Sequence, residues 1–202
     1  MHINLKQKWI LTAATAFLLL LPTVGCVHSI DSDIDVADAP EDDSAYDPIL
    51  QKSTRTKSVF KDFENRYQIV TTYLSPEFRG AFSQRLTKVY MTGAGEFEEA
   101  NSKAGFFVSL NAPFEDRTDL SNPQHWSVLM KTPDGLIKPV VVKKLTDKER
   151  WRAFFGSVNS WSHDYLIVFD APGVNPASAD LVEKTTINIV FANADGQVSL
   201  TW

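Results

Sequence analysis

Gly105-Phe106-Phe107-Val108-Ser109-Leu110-Asn111 is the stretch that decides the fold class. Phe106, Val108 and Leu110 hold one set of alternate positions and Phe107, Ser109 and Asn111 the other, which is the period of two of a strand. Trp126-Ser127-Val128-Leu129-Met130-Lys131 repeats the pattern, with Trp126, Val128 and Met130 on the apolar face. Thr132-Pro133-Asp134-Gly135 has turn chemistry and leads into an apolar segment at 136–145 that reads as the next strand. Further strands are predicted over 165–169, 185–191 and 197–202, the last two joined by Asn193-Ala194-Asp195-Gly196. Short strands joined by hairpin turns predict a mainly β (α+β) chain whose residues 105–202 form an antiparallel Ig-like β-sandwich.

Working towards the N-terminus, the period changes. The segment 57–74 is mixed, because Phe60, Phe63 and Tyr67 recur at helical spacing, while Ile69-Val70-Thr71-Thr72-Tyr73 is a β-branched run that predicts a strand near 66–74. Ser75-Pro76-Glu77 then has the chemistry of a helix start: a capping hydroxyl, proline at the first helical position and an acid in the first turn. Phe78, Ala81, Phe82, Leu86, Val89 and Tyr90 form one apolar stripe on that helix. Gly93-Ala94-Gly95 is expected to end it, and a short second helix over 96–103 to turn Phe97, Ala100 and Ala104 inward. Residues 49–104 are thus an N-terminal strand and helical segment, expected to pack beside the sandwich or across one end.

Before that segment the composition shifts sharply. Asp31, Asp33, Asp35, Asp38, Glu41, Asp42, Asp43 and Asp47 occur without any Lys or Arg, and like-charge repulsion with little apolar surface predicts an acidic flexible tether over 26–48. Asp31-Ser32-Asp33-Ile34-Asp35 imitates the start of a calcium loop, but Val36 stands where the glycine belongs and Asp42 where the glutamate belongs. The 202 residues carry a formal charge of −5, which argues against a nucleic-acid partner, whose binding rests on neutralising phosphates.

The first 25 residues have the layout of a secretory signal. Lys6 and Lys8 precede an uncharged apolar run ending in Leu18-Leu19-Leu20-Leu21, and Pro22 and Gly25 break it before a cleavage position. An uncleaved membrane anchor is the alternative, though the run falls short of the roughly 20 residues a span needs. Thr23-Val24-Gly25-Cys26 resembles the end of a bacterial lipoprotein signal, with Thr23 where leucine is usual. The resemblance implies removal of 1–25, diacylglyceryl attachment to the only cysteine, Cys26, and a membrane contact made by that lipid. Val27 and His28 follow the cysteine instead of an aspartate, which by the same resemblance implies an outer-membrane lipid anchor with the domain facing the periplasm or the surface. Loss of Lys6 and Lys8 would take the charge to −7. The string Thr72-Tyr73-Leu74-Ser75-Pro76-Glu77-Phe78-Arg79, the Trp126 strand with Asp134-Gly135 and Pro139, and the closing Leu200-Thr201-Trp202 are similar to a group of uncharacterised bacterial lipoproteins, a likeness that implies no particular chemistry.

Few constellations point to catalysis. Ser162-His163-Asp164 supplies nucleophile, base and acid types, but strand neighbours point to opposite faces and no G-x-S-x-G elbow is present. His28, His125 and His163 lack zinc-ligand spacing, and Gly93-Ala94-Gly95 is only half of a dinucleotide loop, so neither metal nor cofactor is expected. Trp151, Phe154, Phe155 and Trp161 lie among small polar residues between two strands. They read either as rings plugging the open end of the sandwich or as an exposed partner-binding or sugar-stacking patch. The expectation is a non-enzymatic envelope lipoprotein that binds an envelope protein or glycan. A hydrolase of envelope polymers using His163 and nearby acids is the alternative.

Overall fold

The computed structural model describes residues 43–91, 97–100, 102–133, 135–171 and 186–202. Its strands are β1 (Thr54–Lys61), β2 (Glu64–Tyr73), β3 (Ala104–Asn111), β4 (Ser127–Thr132), β5 (Gly135–Ile137), β6 (Val141–Leu145), β7 (His163–Phe169), β8 (Asn188–Asn193) and β9 (Gly196–Thr201). One sheet has the order β1-β2-β3-β7-β6 and the other β5-β4-β8-β9. Every described pairing is antiparallel. With β1 set aside, β2-β3-β7-β6 against β5-β4-β8-β9 is the ABED and C′CFG strand order of an immunoglobulin-type sandwich. β1 is an added edge strand.

Alternation along each strand builds the core. Tyr67, Ile69, Phe106, Val108, Leu110, Tyr165, Ile167 and Phe169 face Val128, Met130, Ile189, Phe191, Val198 and Leu200 across the sandwich, all of them buried. Trp126 meets Tyr67 edge to face, with ring centroids 5.0 Å apart. The β1 edge lies against β9: Arg55 Nε donates to the Thr201 carbonyl at 3.1 Å, and Trp202 Nε1 donates to the Ser53 carbonyl at 2.6 Å.

A second apolar layer covers the outer face of the five-stranded sheet. Helix α1 spans Asp47–Ser53 and α2 spans Pro76–Tyr90. Ser75 caps α2, its Oγ accepting from the Phe78 N–H at 3.1 Å, and Phe78, Phe82 and Leu86 are buried at successive turns. This stripe packs with Phe97, Trp151, Phe154 and Phe155 onto Phe107, Leu166 and Val168 of β3 and β7. Both faces of β3 and β7 are therefore buried, which is why Ala104-Gly105-Phe106-Phe107-Val108 and Tyr165-Leu166-Ile167-Val168-Phe169 read as nearly continuous apolar runs. Gly105 lies so close to Ala100 that a Cβ there would collide with the alanine Cβ.

Several expectations need correction. The segment 136–145 is two strands in different sheets: β5 pairs with β4, β6 pairs with β7, and Lys138-Pro139-Val140 crosses between the sheets, where proline's missing N–H costs no ladder bond. The helix expected over 96–103 is a 3₁₀ turn at Glu98–Ala100, although Phe97, Ala100 and Ala104 are buried as anticipated. β2 belongs to the sandwich itself, so the sandwich begins before residue 105. Of the two placements expected for the helical segment, beside the sandwich or across an end, it takes the first, on the outer sheet face. The end of the acidic segment is docked from Asp43 onward: Tyr46 is buried, its hydroxyl donates to the Phe154 carbonyl at 3.0 Å, and Arg85 lies over its ring at 4.8 Å. α2 ends at Tyr90 with Met91 in the left-handed region, while Gly93-Ala94-Gly95 lies outside the described residues.

The helical spacing of Phe60 and Phe63 has no structural counterpart, because both sit at the β1–β2 turn. Lys61 pairs with Glu64, and the two residues between them, Asp62 and Phe63, have φ of 54° and 64°. Two positive φ values are those of a type I′ hairpin, which Asn-Gly normally fills. For a bulky L-residue that conformation costs about 1–2 kcal/mol. Phe97 adopts a similar φ of 62°, but its ring is buried 5.2 Å from Phe82 and 5.2 Å from Trp151. Phe63 has no such compensation: it is fully exposed and makes no ring contact among the described residues.

Candidate functional site

The half of the outer sheet face that α2 leaves open is polar for a local reason. In Thr54-Arg55-Thr56-Lys57-Ser58 the hydroxyls take every second position, so Thr54, Thr56 and Ser58 share the outer face of β1. Register sets them beside Thr72, Val70 and Gln68 of β2, and the next strand brings Phe107, Ser109 and Asn111. α1 walls one side, with Pro48, Leu50 and Gln51, and the 155–157 loop walls the other, with Phe155, Gly156 and Ser157. Between them runs an open groove of about 770 Å³, floored by Thr54, Thr56, Val70 and Thr72. Thr54 Oγ1 lies 2.8 Å from Thr72 Oγ1 and donates to the Leu50 carbonyl at 2.7 Å, so α1 is tied directly to the floor. Among the described residues, Asp47 is the one titratable residue in the lining. The arrangement presents hydroxyls and an amide beside apolar carbon, which suits an uncharged polar ligand with apolar faces.

The loop that forms the second wall is held by a buried carboxylate. Asp164 on β7 lies opposite Ser109 on β3, and Ser109 Oγ donates to Asp164 Oδ1 at 2.7 Å. That uses the only Ser109 hydroxyl hydrogen, so Ser157 Oγ, 2.9 Å away, is the donor to Ser109. Ser162 Oγ lies 2.9 Å from Asp164 Oδ2 and accepts from the Asn159 N–H at 3.0 Å. Lys148 Nζ donates to the carbonyls of Asn159, Ser160 and Ser162 at 3.0, 3.0 and 2.5 Å. Burial pushes the Asp164 carboxyl above the usual carboxylate range, against the pull of the two serine hydroxyls and Lys148. Burial also lowers His163 below an ordinary histidine, and the Lys144 and Lys148 charges act the same way.

Ser162, His163 and Asp164 are therefore not assembled as nucleophile, base and orienter. Ser162 is buried and bonded to Asn159 and Asp164, and His163 bonds to neither. The aromatic quartet divides. Trp151, Phe154 and Phe155 are buried against α2 and β3, so they are core rings, whereas Trp161 is 83 % exposed. Trp151, Phe154 and Phe155 cover the outer face of the five-stranded sheet rather than plugging an open end, and Trp161 takes no part in that layer. Cys26 and the 31–42 acidic stretch lie outside the described residues. No group of three or more His, Cys, Asp or Glu able to hold a metal ion occurs among the described residues, and no described helix is long and apolar enough to cross a membrane.

The groove itself was not anticipated. The signal was present in the hydroxyl alternation of Thr54, Thr56 and Ser58, but the aromatic spacing of Phe60, Phe63 and Tyr67 overlapped it. No protein-family model matches the chain, and neither a curated protein nor a solved structure matches it.

Proposed function

We propose that this protein is an envelope lipoprotein, held at the outer membrane by lipid on Cys26, whose sandwich domain is a non-enzymatic module binding an envelope glycan in the β1–β2 groove. The observation that carries the reading is the open groove of about 770 Å³ floored by Thr54, Thr56, Val70 and Thr72. Hydroxyl and amide groups exchange hydrogen bonds with sugar hydroxyls, and Val70, Leu50 and Pro48 offer carbon for the ring faces. Among the described residues the groove brings together no pair of acids and no activated nucleophile, which supports binding over hydrolysis. The lipid anchor rests on the signal-like residues 1–25 and on Cys26, and two or more acyl chains hold a domain where one does not.

The test uses the membrane-extracted protein. Intact mass should show loss of 1–25 and a diacylglyceryl group on Cys26. The protein should co-sediment with purified peptidoglycan sacculi, and Thr56→Trp, which fills the groove from an exposed position, should abolish that while Trp161→Ala leaves it intact. Sedimentation unaffected by Thr56→Trp, or none by the wild type, would remove the groove from the account.

A further inference from the structure

The β1–β2 hairpin runs past the sheet that supports it. The last β2–β3 pair is Gln68 with Asn111, yet β1 and β2 stay paired to Lys61 and Glu64. Four further residues of β2 extend the ribbon by about 13 Å at strand rise. Tyr67 and Val59 still touch the β8–β9 turn, through the Tyr67 hydroxyl's 3.1 Å bond to the Gly196 carbonyl and through Val59 beside Gly196. Beyond them, every residue from Phe60 to Asn65 is exposed.

What this tip carries is not explained by folding. Phe60 is 69 % exposed and Phe63 fully so, and Phe63 keeps a backbone conformation in which glycine or asparagine is the ordinary choice. Two more aromatic side chains are exposed at the same end of the sandwich: Phe114, just past the end of β3, and Trp161, just before β7 begins. The register places both there, since Leu110 pairs with His163, and Asn159 Nδ2 reaches Asn111 Oδ1 at 3.5 Å. The ionic groups are arranged to suit. Arg66 takes both nearby carboxylates, Glu64 at 3.0 Å and Asp62 at 3.5 Å, while Lys57 and Lys61 are exposed and make no ion pair among the described residues.

We infer that the Phe60–Phe63 hairpin tip is a lipid-inserting finger, a second contact of the domain with the membrane surface, with Phe60 and Phe63 entering the headgroup–acyl boundary and Lys57 and Lys61 meeting lipid phosphates. The inference rests on the Cys26 anchor proposed above. A projecting convex tip has no rim to exclude water around a partner's pocket, as protein hot spots require, but it can enter a fluid interface. The chain length permits it. The 17 residues from Cys26 to Asp43 reach at most about 60 Å, against about 34 Å for the ten residues of β2. The overall negative charge does not extend to the tip, where Lys61 and Arg66 balance Asp62 and Glu64, and Lys57 stands further back on β1 opposite Ile69.

The experiment places a cysteine-linked environment-sensitive dye on the full, membrane-extracted chain at Phe63→Cys, at Phe60→Cys and at Lys131→Cys, the last being exposed near the opposite end of the sandwich. Each is reconstituted in vesicles of phosphatidylethanolamine and phosphatidylglycerol, with intact mass reporting the state of Cys26. The expected result is a blue shift and quenching by spin-labelled lipid at positions 60 and 63 but not at 131, together with an unchanged melting temperature in Phe60→Ser/Phe63→Ser. An acylated chain whose position-63 dye stays in water overturns the finger and leaves the anchor standing. A bare thiol at Cys26 instead overturns the anchor on which both readings rest. A shift that appears without vesicles and grows with protein concentration overturns the lipid partner in favour of a second copy.

Discussion

The rings of Phe107 and Phe155 lie parallel to within 2°, with centroids 3.7 Å apart. Phe107 projects from the outer face of β3, and Phe155 belongs to the segment that follows helix α3 (Lys148–Arg152). One stacked pair therefore joins the five-stranded sheet to the loop that walls the groove. Phe155→Ala should cost about 3–5 kcal/mol, as for other buried phenylalanines, whereas Trp161→Ala should fall within about 0.5 kcal/mol of wild type. Chemical denaturation of the two variants separates a core ring from a surface ring, and equal losses would put Trp161 in the core.

Asp164 makes stability depend on pH with a definite sign. Its folded-state carboxyl titrates above the unfolded value near 3.8, so between those two values the folded state binds more protons and stability falls as pH rises. Asp164→Asn keeps the shape and removes the titration. The difference in melting temperature, variant minus wild type, should therefore grow in the variant's favour as pH rises through and above 4 and level off once the folded carboxyl is ionised. A difference that shrinks over that range would show the carboxylate to be stabilised rather than strained by its site.

Strain at the hairpin tip predicts a stabilising substitution. Phe63 has φ of 64° and is fully exposed with no ring contact among the described residues, so Phe63→Gly relieves about 1 kcal/mol of left-handed strain at a turn position glycine prefers. Thermal unfolding should shift upward by a few degrees, and the same variant should lose the vesicle contact of the finger. A lower melting temperature would mean that the Phe63 ring supports the fold.

The C-terminal strand closes the sandwich. Val198 and Leu200 are buried, Ser199 and Thr201 are exposed, and Trp202 exchanges two backbone bonds with Ile187, at 2.9 and 3.1 Å. Burial of each large apolar side chain contributes about 1.5–3 kcal/mol, and the Trp202 bond to Ser53 is lost with them. Removing 197–202 should abolish the cooperative transition, since a domain's whole stability is about 5–15 kcal/mol. An unchanged midpoint would leave β9 dispensable.

Local patterns were enough for much of this fold. Alternation at 105–111 and 126–131, the Ser75-Pro76-Glu77 start and the hairpin chemistry at 193–196 each depend on neighbours within a few residues, and strands and helix appear where those neighbours put them. The inward face of Val198 and Leu200 was legible for the same reason. What depends on partners far along the chain was not. Nothing near Pro139 says that β5 and β6 belong to different sheets, because that follows from pairing with β4 and β7. Trp151, Phe154 and Phe155 share a segment with Trp161, yet three are core and one is exposed, since α2 and β3 cover only the first three. The groove required β1 and β2 to pair in register and α2 to stop short of them, and the finger required β3 to end before the hairpin does. Side-chain periodicity is written along the chain, but burial is decided by which distant element arrives to cover each face.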